Sequence, residues 1–104
     1  MALLIKHGST APEVLEPSVG TCFDLSSLQR AVGGYIEIIR MADSRYMVVN
    51  EDGRLLNLPR NLLATKILSD VGVAAFGDVI AGDDVIRSFG YIVGDVLICE
   101  EGEF

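Results

Sequence analysis

Four arginines stand close together in a chain that is otherwise acidic. The span 40–60 holds four of the eight lysine and arginine residues and three of the fifteen acidic ones, so its formal charge is +1 against −7 for the whole chain. Guanidinium groups match the geometry of phosphate oxygens, and a cluster of them can form a local anion site. Alternatively, these side chains only neutralise their acidic neighbours on a hairpin surface. The arginines are Arg40, Arg45, Arg54 and Arg60.

Five polar residues in and beside this span are candidates for binding a ligand. Asn61 is a good helix N-cap, and the helix that it begins adds unpaired N–H groups and a positive dipole end to an anion site. Glu37 stands among isoleucines in a predicted strand, so its carboxylate either faces solvent, pairs with Arg45 or Arg60, or contacts a ligand. The five candidates are Glu37, Arg40, Arg60, Asn61 and Thr65.

Few side chains in the sequence suit catalysis or metal binding. The chain has one histidine, His7, and its two cysteines are far apart, so no zinc-ligand spacing occurs. Carboxylates and Tyr35 are the remaining acid–base groups, and Glu37 with Asp95 is a conceivable pair. We therefore predict no catalytic residue, no metal and no cofactor, and keep a carboxylate-dependent hydrolase as a minor alternative.

Length and composition are those of one globular domain. The chain has 104 residues, of which 50% are hydrophobic and 22% charged, and this composition supports one modest core. A charge of −7 disfavours nucleic acid and anionic membranes as partners, because both attract basic proteins. We find no run of about 20 apolar residues and no signal peptide, so we expect a cytoplasmic protein. We divide the domain into a strand and loop region (1–23), a motif-bearing core (24–99) and an acidic tail (100–104).

The first half of the chain predicts strands around one helix. Asp24 is a good N-cap, the residues after it have helical spacing, and Gly33 suits a helix C-terminus. Runs of β-branched residues predict strands. In chain order we predict a strand at 1–6, a loop at 8–22 that includes a short strand at 13–16, a helix from Asp24 to Gly33, a hairpin of strands 35–41 and 45–49, a turn at 50–53 and a brief strand at 54–56.

The second half predicts a second helix and two related strands. Asn61 caps the helix, which is apolar on most sides and is expected to pack against a sheet or a partner chain. Gly-Asp turns at 77–78 and 94–95 each lead into an apolar strand, which suits two strands of one curved sheet. Cys99, in the later strand, is expected to be a buried thiol. The segment 83–89 is either a short helical turn or a loop.

This order of elements predicts the fold class. The sequence has no βαβ unit with a phosphate-binding fingerprint, and the hairpin requires antiparallel pairing. We predict an α+β domain with two short helices and a small mixed or antiparallel curved sheet, arranged as a sandwich or a partly open barrel.

Four short motifs occur in order: VGGYIE at 32–37, VNEDG at 49–53, N-x-x-A-T at 61–65 and IVGDV at 92–96. Each motif alone is common, and the ordered set is much more specific. Over roughly residues 28–99 the set resembles a family of small uncharacterised proteins of bacteriophages, plasmids and bacteria, a domain of unknown function. The resemblance implies an accessory protein of a phage or mobile element, expressed in a bacterial cytoplasm, and it implies no particular activity.

These observations leave several functions open. The first is a non-catalytic accessory protein that binds a small anionic ligand, for example a nucleotide signal used in host defence, or a host protein. The second is a homo-oligomeric structural or interaction module, because a small domain with a mean hydropathy of +0.42 has apolar surface to bury. We expect a homo-oligomer. An acidic mimic of DNA is a further alternative.

Overall fold

The computed structural model describes residues 1–17, 20 and 22–104. In these ranges the chain forms an α+β fold, as predicted. The part of the predicted loop at Ser18, Val19 and Thr21 lies outside the described residues. In chain order the elements are β1 (Ala2–Ile5), β2 (Glu13–Leu15), α1 (Leu25–Val32), β3 (Ile36–Arg40), β4 (Tyr46–Asn50), α2 (Leu62–Val71), β5 (Val73–Ala75), β6 (Asp78–Ile80), α3 (Asp83–Phe89) and β7 (Val96–Cys99).

Five strands form one antiparallel sheet in the order β2-β1-β7-β4-β3. The central strand β7 pairs with β1 through Leu97 opposite Leu4, and with β4 through Ile98 opposite Met47. All four β7 residues are buried, because both faces of the sheet are covered. The edge strands are β2 and β3, so this sheet is open and does not close into a barrel.

Helix α1 covers one face of the sheet. Its buried residues, Leu28 and Val32, belong to an apolar cluster with sheet residues. The Asp24 carboxylate accepts the N–H of Ser27 at 2.7 Å and so caps the helix. Gly33 ends it at φ 78°, a left-handed conformation that glycine adopts without a Cβ clash. The predicted start and end of this helix are confirmed.

Helices α2 and α3 and the β5–β6 hairpin cover the opposite face. Ala64 and Leu68 of α2 are buried in one apolar cluster with Met47 and Ile98 of the sheet. The predicted burial of α2 against a sheet is therefore confirmed, and so is its N-cap at Asn61, whose side chain accepts the N–H of Ala64.

Three details differ from the sequence-based predictions. The segment 54–56 is part of a turn, in which the Leu56 N–H donates to the Asp52 carbonyl at 2.9 Å, and this local bond takes the place of strand pairing. The segment 83–89 is a third helix, where a helical turn or a loop was expected. The two Gly-Asp turns lead into different sheets, because β6 pairs with β5 while β7 is central to the five-stranded sheet.

Candidate functional site

A cavity of about 610 Å³ lies where the β5–β6 hairpin meets the edge of the five-stranded sheet. At its closed end, Met41 forms an antiparallel bridge with Val73, and the Ala42 N–H donates to the Gly72 carbonyl at 2.9 Å. Beyond this bridge, the described residues pair no strand with the outer edge of β3. The gap between the two strands, which we call the β3–β5 cleft, has the volume of a small-molecule site, about 300–1,000 Å³.

The β3–β5 cleft has an apolar floor and a rim of charged and aromatic side chains. The floor includes Ile39, Val49, Val73 and Ile92, which also belong to the core. Two glutamates and two arginines line the cleft, so the formal charge of the lining is zero and the chain's −7 lies elsewhere. The rim residues are Glu37, Arg40, Glu51, Arg54, Leu55, Phe76, Phe89 and Tyr91.

Glu37 lines the cleft with its side chain exposed. Within the described residues, no hydrogen bond or ion pair holds its carboxylate. Arg45, one expected partner, is bound to Asp43 with Nε 2.8 Å from Oδ2. Arg60, the other, has its guanidinium carbon 4.1 Å from the centroid of the Tyr91 ring. Glu37 therefore pairs with neither arginine and is available to a ligand in the cleft.

Two of the four clustered arginines, Arg40 and Arg54, line the cleft. The Arg54 guanidinium donates to the carbonyl of Phe89, the last residue of α3, and so stands between two segments that line the cleft. Arg40 is also a lining residue, but its side chain and that of Glu37 are on opposite faces of β3. The Arg40 guanidinium carbon lies 5.9 Å from the centroid of the Tyr46 ring.

Arg60 does not line the cleft, but it contacts a residue that does. Its cation–π contact with Tyr91 holds that aromatic ring at the cleft wall. Of the predicted site residues, Glu37 and Arg40 line the cleft directly, and Arg60 acts on it through Tyr91.

Asn61 and Thr65 lie in the core and do not line the cleft. Asn61 is fully buried, and its Nδ2 donates to the carbonyls of Ile5 at 2.9 Å and Gly94 at 2.8 Å. The Thr65 hydroxyl donates to the Asn61 carbonyl at 2.8 Å and accepts the N–H of Ile92 at 3.0 Å. The two side chains therefore fasten the start of α2 to β1 and to the turn before β7.

The cleft is also lined by residues that were not predicted to bind a ligand, among them Leu55, Phe76 and Tyr91. Phe76 is the first residue of the two-residue turn between β5 and β6 and has φ 53°, and Gly77 follows with φ 76°. Turns of this kind need positive φ at both positions and favour asparagine or glycine at the first. The signal in the sequence is thus a Phe-Gly pair in place of the usual Asn-Gly.

A smaller cavity of about 270 Å³ lies beside α1. Its lining includes Phe23, Glu16 and Arg30, and it includes none of the five predicted ligand residues. Arg30 therefore offers a matched position for a charge substitution outside the β3–β5 cleft.

The family to which this chain belongs follows from its sequence. Residues 1–104 match the family described as a domain of unknown function, DUF3846. The chain belongs to the DUF3846 family. Comparisons with curated proteins and with solved structures gave no match. The resemblance to a domain of unknown function is confirmed, and the description of DUF3846 names no activity.

The thiols of this DUF3846 chain differ in exposure. Cys99 is buried in β7, as predicted, and burial raises the pKa of its thiol to about 12, so the thiol is protonated at neutral pH. Cys22 is exposed, and its Sγ donates to the Gly102 carbonyl at 3.0 Å.

Across residues 1–17, 20 and 22–104, no group of three or more histidine, cysteine, aspartate or glutamate side chains is arranged to hold a metal ion. In that part of the chain, no helix has the length and apolar character needed to cross a membrane.

Proposed function

We propose that this DUF3846 protein is a non-catalytic binding protein that holds a small anionic ligand in the β3–β5 cleft. The observation that carries the proposal is the cleft itself, in which an apolar floor is combined with a few polar groups at the rim. That combination is typical of small-molecule sites, where apolar surface supplies affinity and isolated polar groups fix orientation.

Arg54 is the group best suited to hold the anionic part of the ligand. One N–H of its Nη2 is used on the Phe89 carbonyl, which leaves the second Nη2 N–H and the N–H groups of Nε and Nη1 for a ligand. The same bond restrains the side chain, so less conformational entropy is lost when a ligand binds. A guanidinium in this state can hold one phosphate or carboxylate through two parallel hydrogen bonds.

The charges around the cleft favour a ligand with one anionic group over a polyanion. The lining is neutral and the rest of the chain is acidic, so each further negative charge on a ligand meets net repulsion. Glu37 and Glu51 also line the cleft and accept hydrogen bonds from a ligand. Neither histidine nor cysteine is among the lining residues, and this favours capture over chemistry.

A binding titration tests this function. Isothermal titration calorimetry with adenosine and guanosine monophosphates and their nucleosides should give saturable binding that weakens with salt and on loss of the phosphate. Arg54→Gln should weaken binding about tenfold, since it removes a charged hydrogen-bond donor. Arg54→Lys keeps the positive charge but not the planar guanidinium, so its affinity should lie between those of the wild type and Arg54→Gln.

Arg30→Gln is the matched control for this titration. It makes the same charge change beside the smaller cavity, and we expect wild-type affinity. An equal loss from Arg30→Gln would mean that general charge, and not the cleft, governs binding. No heat and no thermal shift with any compound in the panel would rule the proposal out.

A homodimer is a second candidate function, and the edge strand β3 favours it. The Glu51 N–H donates to the Tyr35 carbonyl at 2.9 Å, and this sets the hydrogen-bonding register of β3 with β4. In that register the N–H and C=O groups of Ile36 and Ile38 point away from β4, where a second copy can pair with them. Light scattering decides: a monomer at every concentration tested removes this candidate.

A further inference from the structure

The fold does not explain why an aromatic residue, Phe76, stands at the first position of the β5–β6 turn. This residue holds a positive φ of 53° at the first position of a tight turn, where an aromatic residue is strained. Its side chain is 102% exposed, and no ring contact involves it within the described residues. A residue that is both strained and solvated contributes nothing to stability, and such outliers cluster at ligand contacts.

The surroundings of Phe76 indicate what it contacts. The turn carries its ring to the β3–β5 cleft, which Tyr91 lines from the segment after α3. Leu55, 87% exposed, lines the same cleft from the 51–57 turn. Apolar and aromatic groups from three separate segments therefore converge on one cavity. A flat aromatic ring is the ligand part that such walls bind best, because stacking gains contact area at both faces of the ring.

Glu37 adds a requirement for hydrogen-bond donors. At neutral pH its carboxylate only accepts, and nothing among the described residues donates to it. A ring that presents two adjacent N–H donors can bind both carboxylate oxygens. The N1–H and exocyclic amino group of guanine make this arrangement, whereas adenine presents an acceptor at N1.

We propose that the β3–β5 cleft binds a guanine-type base joined to a single phosphate, with the base stacked on Phe76 and its N–H groups bound by Glu37. The proposal rests on the proposed function, because it uses the same cleft and assigns the phosphate to Arg54. It deepens that function by naming the ligand class and the residue that selects it.

The probes are guanosine monophosphate, adenosine monophosphate and ribose 5-phosphate, titrated by calorimetry into the full chain. We expect affinity to fall in that order, since the last compound has the phosphate and sugar but no base. Phe76→Asn should weaken guanosine monophosphate about tenfold and leave ribose 5-phosphate unchanged. Glu37→Gln should reduce the preference for guanosine over adenosine monophosphate.

Phe76→Asn should change stability and binding in opposite directions, and this separates a ligand contact from a structural role. Asparagine suits the turn, so the melting temperature of the free protein should rise while binding weakens. Tyr35→Asn is the matched control: Tyr35 is an exposed aromatic residue, at 68%, that does not line the cleft. It should leave binding of guanosine monophosphate unchanged.

The outcomes distinguish this inference from the proposed function. Equal binding of ribose 5-phosphate and guanosine monophosphate would overturn the inference and leave an anion-binding cleft standing. A Phe76→Asn variant that melts lower and binds normally would also overturn it. Absence of binding for all three probes would remove the proposed function as well.

Discussion

Replacement of Asn61 by aspartate tests whether one buried amide joins three segments of the chain. The carboxylate keeps an oxygen in the place of Oδ1, which accepts the Ala64 N–H at 3.0 Å, so the cap of α2 survives. Its other oxygen takes the place of Nδ2, which donates to the Ile5 and Gly94 carbonyls. Two attractive contacts thereby become repulsive in a site with no exposed surface.

The size of the expected loss in unfolding free energy follows from those two contacts. A buried polar group that loses its partner costs about 1–3 kcal/mol, and here two carbonyls lose their donor. The unpaired buried charge adds to that cost. We expect Asn61→Asp to lower the free energy of unfolding by about 4 kcal/mol at neutral pH. A chain of 104 residues has about 5–15 kcal/mol in total, so this is a large share.

Urea denaturation followed by circular dichroism measures the loss. Asn61→Ser is the matched variant, because its hydroxyl can cap α2 but adds no charge and cannot reach as the amide does; its stability should fall between those of the wild type and Asn61→Asp. The Asn61→Asp deficit should shrink at acidic pH, where the protonated carboxyl regains a donor. A deficit at neutral pH below about 1 kcal/mol, the worth of one hydrogen bond, would refute the reasoning.

Three other changes probe the ends of α1 and the thiol of β7. Hydrogen bonds from Ser27 lower the pKa of Asp24 below its ordinary value of 3.8, so its contribution to stability is present above that pH and is lost on acidification; thermal melts of Asp24→Asn should be less sensitive to acid than those of the wild type. Gly34→Ala places a Cβ 2.9 Å from Nδ2 of Asn50 and should cost about 1–3 kcal/mol in denaturant titrations, whereas wild-type stability would show that Asn50 can shift freely. In a Cys22→Ala background, Cys99 should resist a thiol reagent until the chain unfolds. Burial raises the pKa of Cys99 from 9.0 to about 12, so the stability measured in denaturant titrations should fall as the pH rises between those values. Rapid labelling of the native chain would contradict the burial of Cys99.

The helix ends could be predicted from sequence because capping acts within one turn. Asp24 bonds to an N–H three residues ahead, and Asn61 does the same, so the residue type alone indicates the boundary. Strand β5 could not be predicted in this way. It has three residues, and its strand character comes from pairing with β6 and from the bridge to Met41, neither of which has a local signal.

The candidate site could be predicted only where a residue departs from its local pattern. Glu37 was detectable because a carboxylate interrupts a run of isoleucines, and the structure brings it to the cleft. Asn61 and Thr65 were equally conspicuous, but their polar atoms are satisfied inside the core. Phe76 was missed because its place at the cleft depends on the hairpin, whose position relative to β3 is a tertiary property.

The central position of β7 has a consequence for how the chain folds. β7 follows every other strand in sequence, yet it joins the β2–β1 pair to the β4–β3 pair. Until it is synthesised, each pair presents an unpaired inner edge, and such edges template pairing with other chains. The contact of Leu4 with Leu97 spans 93 residues (97 − 4), and closing contacts of that range is slow. We therefore expect slow insertion of β7 to lengthen the time during which newly made chain can aggregate.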